Sequence, residues 1–352
     1  MKKKLLIIAL VLCFAIVFVS CTNNAVTSES ENTENAADAE TEAPSESESG
    51  APEIKEPTVV NVAALKGPTA MGLVALMDAE ENNAGADYLY DFDIEAAVDA
   101  ISPLLIQGKL DMAAVPANLA SVLYNNTQGE VLVLNINTLG VLYIVENGNS
   151  VNTMEDLKGK TIYASGKGAT PEYALNYLLK SAGLEIGRDV FVEYKSEHAE
   201  ALAAMVSEPN AVAMLPQPFV TTAQMTNESV RIALDVTKEW ETASGKTLIT
   251  GVMAVRKPFA EAHPDAVANF MNKYEQSVKY VNENIADAAL LIEKYDIFKS
   301  DVAEKAIPYC NITYIDGEEM KEKLSEYLET LYEQNPASVG GKLPEDDFYY
   351  AG

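Results

Sequence analysis

Cysteine, histidine and arginine are scarce in this chain, and their scarcity excludes several kinds of site. The 352 residues include three cysteines, two histidines and one tryptophan. Two of the cysteines precede residue 22, so Cys310 is left without an internal disulfide partner and is interpreted as a small buried apolar residue. His198 and His263 lie far apart and are predicted to be surface or capping residues. No metal site, cofactor or catalytic Ser-His-Asp set is therefore predicted.

Positive charge is also in short supply. Asp and Glu number 53 against 25 Lys and Arg, which gives a formal net charge of −28. This balance argues against nucleic acid and anionic lipid faces as partners. It does not exclude a small anionic ligand, because a distant charge is screened by salt and local N–H groups can outweigh it.

The first 56 residues are predicted to lie outside the fold. Residues 1–20 combine a basic start with the apolar run Leu5 to Val19, which indicates an export signal. Phe18-Val19-Ser20-Cys21 resembles the bacterial lipobox, and the resemblance implies cleavage before Cys21 and a lipid on its sulfur. Plain secretion with Cys21 free is the alternative. Residues 21–56 are rich in Glu, Ser, Ala, Asn and Thr and are predicted to form a disordered acidic tether.

From Pro57 onward, short apolar strands alternate with amphipathic helices. This order predicts an α/β fold with mainly parallel sheets. We expect one lobe from residues 57–140 together with 248–352, and a second lobe from residues 141–247. Asn137 to Glu146 is too long for one ordinary strand and is predicted to pass from the first lobe into the second. Leu248 to Val255 is predicted to return.

Two strand-to-helix turns have the composition of ligand cradles. In Val59 to Met77 a buried strand ends at Gly67-Pro68, and Thr69 is predicted to cap the following helix. In Gly166 to Glu172 a glycine-rich turn precedes Thr170, again a predicted cap, and Lys167 adds a positive charge. Ligands of open α/β sheets bind beyond the strand carboxyl ends. Ordinary connections without a ligand remain the alternative at both turns.

Trp240 follows a predicted strand in a polar segment. It is interpreted either as a plug in the core or as a lid over a ligand.

The chain resembles the substrate-binding proteins of ABC importers, in the nitrate/sulfonate/taurine and thiamine-precursor-like group. The resemblance covers about Pro57 to Tyr350. It rests on Lys-Gly-Pro-Thr-Ala-Met-Gly, Gly-Lys-Leu-Asp-Met-Ala-Ala-Val-Pro, Met-Glu-Asp-Leu-Lys-Gly-Lys-Thr-Ile-Tyr-Ala and Leu-Pro-Glu-Asp-Asp-Phe-Tyr-Tyr. It implies a type II periplasmic-binding-protein fold, with two lobes joined by two hinge strands and the ligand held between them.

The resemblance also implies a set of cleft residues, to which we add Trp240. They are Gly67, Pro68, Thr69, Ala70, Pro116, Ala117, Asn118, Asn137, Thr138, Gly168, Ala169, Thr170, Pro216, Gln217 and Pro218. The only arginines, at 188, 231 and 256, fall outside these turns. A bidentate arginine clamp for a sulfonate or carboxylate is therefore not expected, which leaves room for a neutral or zwitterionic, partly aromatic ligand.

The function implied is that of a monomeric, lipid-anchored extracytoplasmic protein that delivers a small molecule to ABC permease and ATPase subunits. Sulfonates, taurine, nitrate and vitamin precursors all remain open as ligands. A ligand-sensing lipoprotein is one alternative. The other is a small-molecule lyase on the same fold, which would need a titratable acid or base in the cleft.

Overall fold

The computed structural model describes residues 57–81 and 87–352. These residues belong to one compact unit. The leader predicted at residues 1–20, the lipid-modified Cys21 and the tether predicted at 21–56 lie outside the described residues.

Eleven strands of the described chain form two sheets. The first contains β1 (Thr58–Leu65), β2 (Tyr88–Glu95), β3 (Met112–Pro116), β4 (Val131–Leu139), β10 (Ile249–Arg256) and β11 (Ile312–Ile315). The second contains β5 (Leu142–Asn147), β6 (Thr161–Ala164), β7 (Phe191–Tyr194), β8 (Val212–Pro216) and β9 (Val230–Asp235). Their spatial orders are β11-β4-β10-β3-β1-β2 and β7-β6-β8-β5-β9.

Helices surround both sheets. They are α1 (Pro68–Met71), α2 (Val74–Glu80), α3 (Val98–Ile106), α4 (Ala117–Asn126), α5 (Thr170–Ser181), α6 (His198–Ser207), α7 (Phe219–Thr226), α8 (Val236–Ser244), α9 (Lys257–Ala262), α10 (Pro264–Glu283), α11 (Ile285–Lys294), α12 (Ser300–Ala306) and α13 (Gly317–Gln334). Short 3₁₀ turns occupy Met154–Leu157, Ile307–Tyr309, Pro336–Val339 and Asp346–Phe348.

The sheets are mixed rather than mainly parallel, which corrects the prediction. β1 pairs in parallel with β2 and β3, and β6 with β7 and β8. The strand that has just arrived from the other sheet runs the opposite way: β5 is antiparallel to β8 and β9, and β10 to β3 and β4. A strand that enters a sheet from the edge where the parallel strands end must run antiparallel to them. The amino-acid composition of the strand does not reveal this direction.

The chain passes between the sheets at two places. β4 ends at Leu139 and β5 begins at Leu142, so the predicted long strand is two strands of different sheets with Gly140-Val141 between them. The return runs from the end of β9 through α8 into β10. That the two parts move as lobes with the predicted boundaries stays a prediction.

One buried apolar cluster extends across both sheets. It includes Val133 and Ile136 of β4, Ile144 of β5, Met214 of β8 and Tyr327 of α13. Separate clusters cover the remaining face of each sheet. The shared cluster joins the two sheets through packing as well as through the chain crossings.

Candidate functional site

Strands of both sheets end at one inner cavity of about 100 Å³. β1 and β3 of the first sheet and β8 of the second bring their last residues to its wall, and β4 brings Thr138, the residue before its last. The cavity is lined by Leu65, Lys66, Gly67, Pro68, Thr69, Pro116, Thr138, Val141, Leu142, Thr170, Pro171, His198, Pro216, Gln217, Phe219 and Thr250. Two larger cavities, each of about 410 Å³, flank it, and His198 lines all three. The three spaces form the candidate site.

Three threonine hydroxyls line the first-sheet side of the inner cavity, and each donates its hydrogen to the protein. Thr69 Oγ1 donates to the Leu65 carbonyl at 2.8 Å. Thr138 Oγ1 donates to Asn137 Oδ1 at 3.0 Å, and Thr250 Oγ1 donates to the Leu139 carbonyl. Because a hydroxyl has one hydrogen and two lone pairs, these groups meet a ligand as acceptors.

Gln217 offers a hydrogen-bond donor from the second-sheet side of the cavity. Its Oε1 accepts from Thr221 Oγ1 at 2.8 Å and from the Thr221 N–H at 3.2 Å, which holds the side chain in place at the start of α7. The side-chain Nε2 makes no hydrogen bond within the described chain. A ligand in the cavity therefore meets an amide donor at Gln217.

His198 begins α6 and stands at the junction of the three cavities. Its Nδ1 is hydrogen-bonded to Ser165 Oγ. The imidazole lies 5.3 Å from the Phe219 ring, which lies 5.1 Å edge-on from the Phe298 ring. Burial among these groups lowers the pKa of His198 to about 4, so the ring is neutral near pH 7. The prediction of surface or capping histidines is met by His263, which is exposed and is the N-cap of α10, whereas nothing in the sequence indicated that the partly exposed His198 lines these cavities.

Gly251 of β10 allows close packing at the floor of the site, because it has no side chain. A Cβ at this position would lie 2.5 Å from Asn137 Oδ1 and 2.7 Å from Thr69 Cγ2. Beneath it, the Asn137 amide and the Tyr274 hydroxyl are buried side by side, and the amide is a hydrogen-bond partner of that hydroxyl.

Neither predicted threonine cap forms. The residue that caps α1 is Gly67, and Thr69 turns back to the β1 carbonyl instead. Ala169 is the N-cap of α5, and Thr170 Oγ1 donates to Asn118 Oδ1 at 3.3 Å and accepts from the Tyr327 hydroxyl at 3.1 Å. Thr69 bonds to a main-chain carbonyl four residues earlier and Thr170 to tertiary partners, and sequence reasoning about caps detects neither.

The structure brings half of the predicted site residues to the inner cavity. Those that line it are Gly67, Pro68, Thr69, Pro116, Thr138, Thr170, Pro216 and Gln217. Ala169 lines a flanking cavity. Ala70, Ala117, Asn118, Asn137, Gly168, Pro218 and Trp240 do not line the inner cavity.

Asn118 and Trp240 have structural surroundings instead. Asn118 is fully buried and donates to the carbonyls of Gly168 and Ser338. Trp240 is on α8 rather than in a loop and is fully buried between the Tyr177 and Tyr327 rings, at 4.8 and 5.7 Å. Of its two interpretations, the structure shows the core plug.

Sequence reasoning did not identify several residues that line the inner cavity. They are Leu65, Lys66, Val141, Leu142, Pro171, His198, Phe219 and Thr250. Phe219 could have been assigned to the cavity from the sequence, because it directly follows the Pro216-Gln217-Pro218 turn already assigned to the cleft. Thr250 had none, since its approach depends on the antiparallel pairing of β10 with β4.

A family profile described as "ABC transporter, phosphonate, periplasmic substrate-binding protein" matches residues 75–301, well over half of the chain. The chain belongs to this family. It is the extracytoplasmic substrate-binding component of an ABC import system, which binds a small ligand and works with permease and ATPase subunits. Members of the family are transport binding proteins rather than enzymes.

Solved structures establish the periplasmic-binding-protein fold. An ABC transporter protein from Parabacteroides distasonis is similar with a TM-score of 0.69 and 23% identity, over 83% of this chain and 99% of that one. The periplasmic aliphatic sulphonate-binding protein SsuA from Escherichia coli is similar with a TM-score of 0.66 and 16% identity, over 82% and 93%.

A Candida albicans gene product described as having the generic periplasmic binding protein fold gives a TM-score of 0.56 at 16% identity, over 83% of this chain and 93% of that one. No curated protein sequence matches the chain significantly.

Within residues 57–81 and 87–352, no helix has both the length and the apolar character needed to cross a membrane.

Proposed function

We propose that this chain is a monomeric lipoprotein, anchored through Cys21, that captures one small solute in the inner cavity and presents it to its permease. The observation that supports this most strongly is the convergence of strand ends from both sheets on a single cavity. A solute that contacts both parts of the protein favours the state in which they are closed together, and this differential affinity shifts the population toward that state.

The residues proposed to contact the solute come from both sides. Thr69, Thr138 and Thr250 belong to the first-sheet side, and Gln217 and Phe219 to the second. Sulfonates, as bound by the Escherichia coli neighbour, and neutral vitamin precursors are the two ligand classes considered for this cavity.

Binding without catalysis is part of the proposal. The Ser165–His198 pair is the one observation that favours a hydrolytic alternative. However, no carboxylate is hydrogen-bonded to His198 in the described chain, Ser165 is buried, and the pKa of His198, about 4, makes it a weak general base near pH 7. Intact solute recovered after incubation supports binding alone, and loss of the solute would support an enzyme.

Calorimetric titration of the full-length protein, purified in detergent, tests solute capture. Gln217→Leu removes the proposed amide donor and is expected to weaken binding by roughly 1–3 kcal/mol, because it leaves a buried ligand acceptor unpaired. Gln224→Leu changes an exposed glutamine of α7, the helix that follows Gln217, and is the matched control. One-to-one binding that responds only to the first change supports the proposal. Equal affinities in both variants contradict the assignment of Gln217.

The anchor and the monomeric state have separate tests. Cys21→Ala is expected to move the protein from the membrane fraction to the soluble fraction, whereas Cys310→Ala, at a buried position, is expected to leave it on the membrane. Sedimentation of the detergent-free Cys21→Ala protein should give a single monomeric species. Membrane retention of Cys21→Ala would rule out anchoring through this residue.

A further inference from the structure

We infer that the solute is an uncharged, planar, nitrogen-containing ring that carries its own N–H donors, rather than an oxyanion; this rests on the proposed capture of a solute in the inner cavity. The hydroxyls of Thr69, Thr138 and Thr250 all donate to protein acceptors, so each offers a lone pair to the solute. A sulfonate, phosphonate or nitrate has only acceptor oxygens and cannot satisfy them.

Each helix start around the cavity also has one N–H fewer to offer an anion. Proline occupies the cap or first turn of α1, α4, α5 and α7, at Pro68, Pro116, Pro171 and Pro218, and proline has no N–H. Side chains of the protein have already taken two further N–H groups. Glu172 Oε2 accepts from the Gly168 N–H at 2.6 Å, and Gln217 Oε1 accepts from the Thr221 N–H.

Fixed positive charge is almost missing from the inner cavity. Lys66 is the one basic side chain on its wall besides the neutral His198. The three arginines pair with carboxylates elsewhere, at Glu185, Asp189, Glu146 and Asp111. The flanking cavity that shares Lys66 is lined by three carboxylates, Glu197, Glu293 and Asp296, against the two lysines Lys66 and Lys299, so it carries little positive charge to attract an anion.

Aromatic rings and size favour a flat solute. His198 and Phe219 line the inner cavity with their rings 5.3 Å apart, and Phe298 packs edge-on against Phe219 from a flanking cavity; such rings prefer to pack against another ring. The inner cavity, about 100 Å³, is on the scale of a single ring, since an apolar cavity of about 150 Å³ holds benzene. The Gln217 amide would donate to a ring nitrogen or carbonyl.

Two probe sets separate the ligand classes in titrations of the full-length protein at pH 7.5. The neutral rings are uracil, cytosine, adenine, hypoxanthine and nicotinamide, and the oxyanions are methanesulfonate, methylphosphonate and nitrate. A neutral ring is expected to bind one-to-one, with a Kd that stays unchanged between 50 and 500 mM NaCl, because no charge is neutralised. Phe219→Leu should weaken it roughly 2- to 10-fold. Phe191→Leu, at an exposed phenylalanine, should not.

Lys66→Gln distinguishes the outcomes, with Lys109→Gln at an exposed lysine as its control. A Kd for a neutral ring that stays within about 2-fold in Lys66→Gln supports the inference. An oxyanion that binds the unmodified protein, and loses tenfold or more in Lys66→Gln, overturns the ring assignment while leaving solute capture intact. Failure of every probe of both classes to bind contradicts the inference and the proposed capture together.

Discussion

At the scale of single residues, Gly251 marks where the floor of the site tolerates no side chain. Gly251→Ala would place a Cβ 2.5 Å from Asn137 Oδ1 and 2.7 Å from Thr69 Cγ2. We expect a loss of about 1–3 kcal/mol in the free energy of unfolding, the usual cost of overpacking, as measured by urea denaturation. Adding Thr69→Ser removes one of the two clashing groups and should recover part of the loss. No destabilisation by Gly251→Ala would show that the floor is loosely packed.

His198 gives the protein a predicted pH dependence. Its pKa falls from 6.5 to about 4 on folding because burial disfavours the charged ring. Above pH 6.5 both states are neutral and the residue has no effect. Between pH 6.5 and 4 the unfolded chain takes up a proton that the folded chain does not, so stability falls by up to ~3 kcal/mol.

Urea denaturation at pH 7, 5.5 and 4.5 checks this expectation. His198→Asn has no titrating ring, so its stability should decline less than that of the unmodified protein over the interval. The carboxylates titrate in both proteins and cancel in the comparison. Parallel curves for the two proteins would mean that His198 titrates normally in the fold.

At the scale of elements, Glu146 and Arg231 join β5, β9 and the loop that follows β5. Glu146 is buried, and burial alone would raise its pKa. Hydrogen bonds from Ser150 and Val151 and the charge of Arg231 outweigh burial and lower the pKa instead. Arg231 Nη2 lies 2.8 Å from Glu146 Oε2, and Arg231 Nε donates to the Gly148 carbonyl at 3.1 Å.

Arg231→Met is therefore expected to destabilise the protein by about 2 kcal/mol or more, because it leaves a buried carboxylate short of its countercharge. Arg188→Met removes an exposed arginine that also pairs with carboxylates and should leave the unfolding midpoint nearly unchanged. Equal midpoint shifts in the two variants, measured by thermal denaturation at pH 7, would contradict this account of the pair.

α4 and α5 meet on one side of the cavity through buried side chains. Asn118 Nδ2 donates to the carbonyls of Gly168 and Ser338 at 3.3 and 3.0 Å, and its Oδ1 accepts from Thr170. Asn118→Ala should cost about 1–3 kcal/mol of stability, because it leaves these buried groups unpaired. Asn272→Ala, on an exposed face of α10, should cost less than ~0.5 kcal/mol. Similar losses of stability in the two variants, measured by urea denaturation, would show that Asn118 does not link α4 to α5.

These elements also show what the sequence could predict. The buried strand β1, the stop at Gly67-Pro68 and the helix that follows are fixed by local chemistry and were predicted closely. The partners of Thr69 and Thr170 were not. Thr69 bonds back to the Leu65 carbonyl instead of a helix N–H, and Thr170 bonds to Asn118 and Tyr327, which only the tertiary fold brings near. The place of His198 was missed for the same reason, since three cavities meet there only after folding.

At the scale of the whole molecule, the α/β class and the extracytoplasmic transport role could be predicted from the order of the elements and from short sequence segments that resemble the family. The direction of β5 and β10 could not, since it follows from the path of the chain between the sheets. The apolar cluster shared by both sheets was not foreseen either, because its members come from distant parts of the chain.

The most direct test is a crystal structure of the protein with the probe that binds most tightly in the titrations. The account predicts density for one solute in the inner cavity, in contact with Thr138 or Thr250 from the first sheet and with Gln217 from the second. A solute that contacts residues of one sheet only, or that occupies a site away from this cavity, would contradict the account.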